Sequence, residues 1–120
     1  MLRLRALARR KPTAHGRTLR AGGIELDAIR HIVSRDGLRL DLFAKEFGVL
    51  EALLRAHPGS LSAERLLEQV WDENTDPFTK TVQVTIARLR RRLGEPQAIQ
   101  TTPGVGYQVV DRRALEQAAR

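Results

Sequence analysis

From Ile24 to Leu42 apolar and polar positions alternate in short runs, GIELD, RHIVS and LRLDL, the period of half-buried strands. Asp36-Gly37, between the last two runs, marks a tight hairpin because both residue types tolerate positive φ. A small antiparallel sheet is predicted here. At Phe43 the period changes. Phe43, Phe47, Leu50 and Leu54 fall at i, i+4, i+7 and i+11, a helical stripe that stops at HPG, where Pro58 and Gly59 cannot continue it. A second helix follows, capped by Ser62, with Leu66 and Val70, and Leu67 and Trp71, as apolar pairs one turn apart. After the polar loop DENTDPFT comes TKTVQVTIARLRRRL, then the break GEPQ, and then QTTPGVGYQVV, whose β-branched runs flank a glycine-bearing turn and predict a second hairpin over 100–110.

The stretch from Thr79 to Leu93 carries two patterns at once. Val82, Val84 and Ile86 alternate like a strand, yet Val82, Ile86, Leu89 and Leu93 form one continuous helical stripe. Its length of about four turns exceeds a usual strand, so a helix is predicted. Asp76-Pro77 or Thr79 would start it, and Gly94 and Pro96 end it. The opposite face collects Lys80, Val84, Ala87, Arg88 and Arg91, with Thr81 beside them and Thr85 and Arg92 at the flank. No acid occurs in residues 77–94. A merely solvated face usually mixes signs and seldom places a Val at its centre. Arginine for guanine edges and phosphates, with small apolar groups for thymine methyls, is what a helix lying in the DNA major groove requires. The plainer alternative is a solvent-exposed face on which Arg90, Arg91 and Arg92 suit the helix C-terminus. A capped helix, a loop, a helix basic on one side and a hairpin together predict a helix-turn-helix with a β-wing.

Charge sharpens the picture only once it is located. The net charge is +7, but seven of the 21 basic residues lie in the first twenty positions, where there is no acid, so residues 21–120 are neutral overall. Residues 1–20 read as a basic segment running into a linker, 21–110 as the folded domain, and 111–120 as a C-terminal tail. A basic tail alone would give salt-sensitive, sequence-blind nucleic-acid affinity. No apolar run approaches membrane-spanning length and the start lacks a secretory signal, so an intracellular, cytoplasmic protein without membrane contact is expected. Cysteine is absent, which excludes disulfides and thiolate chemistry. His15, His31 and His57 are scattered over linker, strand and helix stop, and no nucleophile with its base, ligand cluster or phosphate-binding loop is visible. Neither catalysis nor a cofactor or metal is expected.

The motifs EFGVLEALLRAHPGSLSAERLLEQVW, TVQVTIARLRRRL and TTPGVGY, at this spacing, resemble the OmpR/PhoB family of bacterial response-regulator effector domains over residues 23–110. The resemblance implies an α+β winged helix: an N-terminal antiparallel sheet of four strands, three helices and a C-terminal hairpin wing. It implies sequence-specific binding of promoter DNA and regulation of transcription within a two-component system. By position, Arg88 would meet bases or phosphates and Val84 thymine methyls. Lys80, Thr81, Thr85, Arg90, Arg91 and Arg92 would lie at or near phosphates, Trp71 could offer its indole N–H to one, and Thr101 and Thr102 would reach DNA from the wing. Asp72, Glu73 and Asp76 match a loop that in relatives can touch RNA polymerase, and a head-to-tail dimer on DNA is a further expectation. Three positions depart from the family pattern: Pro103, where many relatives place a minor-groove Arg, Gln83, where an acid is common, and Ala87, where a basic residue often stands. Residues 1–11 resemble the end of a receiver domain entering the interdomain linker. Competing with this reading are a winged-helix protein-interaction module and a non-specific nucleic-acid binder.

Overall fold

A computed structural model of the chain describes residues 18–71 and 80–110. Four short strands, β1 (Thr18–Ala21), β2 (Ile24–Asp27), β3 (Ile32–Arg35) and β4 (Leu38–Leu40), form an antiparallel sheet in sequential order. The predicted Asp36-Gly37 turn joins β3 to β4, with φ of 52° and 86°, the left-handed values a two-residue hairpin of this kind demands. Asp27 closes the β2–β3 connection by accepting the Ile29 and Arg30 N–H groups at 3.0 Å each. The family resemblance implied four strands, but the local pattern placed only three of them, and β1 falls where position 20 closed the basic segment. The strand pairs Thr18 to Ala21 with Asp27 to Ile24, so the sheet begins three residues before the predicted domain start.

Three helices follow: α1 (Ala44–Ala56), α2 (Ala63–Val70) and α3 (Lys80–Leu93). Ser62 caps α2 as expected, its Oγ accepting the Arg65 N–H at 3.1 Å. Phe43, by contrast, does not belong to the buried stripe of α1. It is the N-cap residue and is 66% exposed, and its backbone N–H donates to Glu46 Oε1 at 3.2 Å. The buried face of α1 comprises Phe47, Val49, Leu50, Leu53 and Leu54. A hairpin of β5 (Ile99–Thr102) and β6 (Gly106–Val109) closes the described chain.

The core lies between the inner face of the sheet, contributed by Ile24, Leu26 and Val33, and the apolar stripes of the three helices. α3 supplies Val82, Ile86, Leu89 and Leu93 to it, the four residues its period predicted. Two polar devices tie the layers together. Arg35, 4% exposed, reaches from β3 to the end of α3, donating to the carbonyls of Leu93 at 3.0 Å and Gly94 at 2.8 Å and to that of Pro96. It thereby satisfies carbonyls that a helix end leaves without intrahelical partners. Leu61, in the α1–α2 connection, exchanges two backbone hydrogen bonds with Tyr107, at 2.9 and 2.8 Å, so that the hairpin gains a third strand-like neighbour. His57 adds a hydrogen bond from Nδ1 to the Val109 carbonyl at 2.9 Å.

Candidate nucleic-acid interface

α3 divides the way its amphipathic pattern requires. With one stripe committed to the core, Lys80, Gln83, Val84, Ala87, Arg88 and Arg91 face outward. Val84 is 43% exposed in the middle of this face, an apolar group with Lys80, Thr81, Ala87 and Arg88 one turn away on either side. Thr81 is half-buried beside it. Thr85, expected on the flank, is turned inward: it is 9% exposed and its hydroxyl donates to the Thr81 carbonyl at 2.9 Å, one turn back. Its placement is that of a packing residue.

The three consecutive arginines have three different surroundings. Arg91 is exposed and makes no hydrogen bond or ion pair among the described residues. Arg92 is turned toward the start of α1, where its Nε lies 2.7 Å from Glu46 Oε1 and its guanidinium 4.8 Å from the Phe43 ring. Glu46 is 2% exposed, so this contact neutralises a buried carboxylate. Arg90 is half-buried and points to the hairpin. Its Nε donates to the Ile99 carbonyl at 3.1 Å and its Nη2 to Thr101 Oγ1 at 2.5 Å, with the guanidinium 6.0 Å from the Tyr107 ring.

The hairpin stands beside α3 with Thr101, Thr102, Pro103, Gly104 and Val105 exposed at its tip. Between Ile99 and Val109 there is no charged residue. Trp71 lies in the core cluster at 9% exposure, and Lys45 crosses above it, with Nζ 5.7 Å from the ring and donating to the Val70 carbonyl at 3.0 Å. This is a packing position at the end of α2. Asp72, Glu73 and Asp76 lie outside the described residues, as do both expected start signals of α3. Among the described residues no group of three His, Asp or Glu side chains is placed to hold a metal ion, and no helix is long and apolar enough to cross a membrane.

Sequence patterning thus locates the exposed residues of α3 and the hairpin tip. It misses Phe43, Glu46, Arg35 and Leu61, which position that surface. Glu46 alone leaves a legible trace, a carboxylate three residues after the helix cap. The partners of Arg35 and Leu61 lie too far along the chain for any local pattern to announce them.

Known proteins share this arrangement. Residues 37–109 match the family described as "Transcriptional regulatory protein, C terminal". The transcriptional regulatory protein CutR of Streptomyces coelicolor is 52% identical over 107 residues, which cover 89% of this chain and 49% of that protein. The chain therefore spans about half the length of such relatives. Among solved structures, the DNA-binding domain of CpxR from E. coli superposes with a TM-score of 0.68 at 30% identity, covering 78% of this chain and 96% of that domain. The Klebsiella pneumoniae RstA DNA-binding domain, solved in complex with the RstA box, superposes with a TM-score of 0.64 at 26% identity, with coverage of 78% and 96%. Four strands, three helices and a terminal hairpin, with this sequence match, make the chain a member of the transcriptional regulatory protein C-terminal family, the winged-helix effector domains of OmpR/PhoB-type response regulators.

Proposed function

We propose that this chain reads specific duplex DNA with α3 and its wing and thereby regulates transcription in the cytoplasm, as the output half of a two-component system. The carrying observation is the outward face of α3, which is free of acids and holds Val84 at its centre. The RstA neighbour, of the same fold, is solved on its DNA box. In this reading Arg88 and Lys80 contact base edges and phosphates, Arg91 a phosphate and Val84 a thymine methyl, with Thr81 alongside. Thr101 and Thr102 meet the backbone from the wing. The work is binding, without turnover or a cofactor. The residues that precede β1 serve as a linker, Asp72, Glu73 and Asp76 offer an acidic contact to RNA polymerase, and two copies sit head to tail on a repeated site.

The test is a selection from randomised duplexes at near-physiological salt, with Arg88→Ala in parallel. Enrichment of one motif by the intact chain, lost in the variant, is the expected result. Retention without enrichment would reduce the activity to sequence-blind binding, and absence of retention would favour a protein-interaction module.

A further inference from the structure

We propose that Arg90 is a positioning residue for DNA reading: it braces β5 and the wing against α3, and it does not serve as a phosphate contact. The inference rests on the DNA-binding reading above and goes beyond it by removing one arginine from the set of candidate phosphate contacts. Arg90, Arg91 and Arg92 are indistinguishable by sequence, yet only Arg91 is without a hydrogen-bond or ion-pair partner among the described residues. Two of the donor nitrogens of Arg90 are already engaged, on the Ile99 carbonyl and on Thr101 Oγ1, and its planar group lies over Tyr107. Ile99 is fully buried and Thr101 exposed, so the guanidinium spans the root of the hairpin from its core side to its surface side. Moving it to a phosphate would break both bonds.

The uncharged composition of the wing makes the brace consequential. A hairpin with no cation has no long-range attraction to DNA, so its contribution depends on where Thr101 and Thr102 are held. Salt dependence separates the two roles of Arg90. A lost phosphate contact flattens the slope of log K against log salt by about 0.9, whereas a misplaced neutral wing weakens binding and leaves the slope as it was.

The experiment compares Arg90→Met, Thr101→Val, their double variant and Arg91→Ala, using the duplex enriched by the intact chain, at several salt concentrations. Amide hydrogen exchange of the wing is followed in the absence of DNA. Arg90→Met is expected to bind about tenfold more weakly with an unchanged slope, while Arg91→Ala flattens it by about 0.9. Wing amides should exchange faster in Arg90→Met and Thr101→Val, and no faster still in the double variant. Flattening of the slope by Arg90→Met to the level of Arg91→Ala, or unaltered wing exchange in both Arg90→Met and Thr101→Val, would overturn the proposal. Thr101→Val removes the acceptor from an exposed site and so keeps the question answerable if Arg90→Met fails to fold. Should the intact chain enrich no duplex, the DNA reading fails, and the exchange data alone decide whether the brace exists.

Discussion

Arg92 shows how a residue's type can mislead about its role. Read along the chain, it is the third cation of a basic run at a helix C-terminus; in space it is the counterion of Glu46. Glu46 also accepts the Phe43 N–H, so one buried carboxylate holds both the start of α1 and the end of α3. Among the described residues, removing Arg92 leaves that carboxylate with the Phe43 N–H as its donor. Because Arg92 is itself partly exposed and screened, Arg92→Ala is expected to cost about 1–2 kcal/mol of folding stability, below the cost of breaking a fully buried pair. Urea denaturation would measure it. Adding Glu46→Gln to that variant should recover part of the loss, since a neutral amide is cheaper to leave buried. Thr85 carries the same lesson. A helical wheel puts it at a flank, and only the packed neighbours decide that the flank is covered.

Among the elements, those governed by local rules were legible. α3 announced its inner stripe and its acid-free outer face, because a helix repeats its environment every three or four residues. The β3–β4 hairpin announced itself through Asp36-Gly37, whose backbone demands are fixed within the turn. β1 was not legible. Its four residues, TLRA, become a strand by pairing with β2, and they adjoin a basic run that masks any alternation. Phe43 was misplaced by one step of the helical pattern, because periodicity does not distinguish an N-cap from a first buried turn. The wing's docking was equally hidden. Gly106 adopts φ of 146° at the closest approach of β6 to Leu61, and a Cβ there would lie 2.2 Å from the Leu61 carbonyl oxygen. Backbone on both sides leaves no flexible group to yield, so Gly106→Ala is expected to destabilise by about 2–4 kcal/mol and to disrupt the Leu61–Tyr107 pair. Thermal unfolding, with hydrogen exchange at the Tyr107 amide, would register both effects.

At the scale of the whole molecule, sheet, helices and hairpin are joined by contacts between residues distant in sequence. Recognition of the family needed only the spacing of its motifs, because those motifs record which faces are buried. The hydrogen bonds from Arg90 to the Ile99 carbonyl and the Thr101 hydroxyl join α3 to the wing in a way that no spacing encodes. Arg35 carries a consequence in time. During synthesis the sheet is made first, with an arginine destined for burial whose carbonyl acceptors, at Leu93, Gly94 and Pro96, are still untranslated. An arginine kept without partners is too costly to bury, so the early half waits in a loose state until the C-terminal half arrives. A fragment of residues 18–71 should accordingly lack cooperative unfolding by circular dichroism and should fold when the remainder of the domain is supplied; a cooperative transition in the fragment alone would refute this. The domain is built to complete itself in a single late step, and α3, whose C-terminal carbonyls Arg35 awaits, is among the pieces that trigger it.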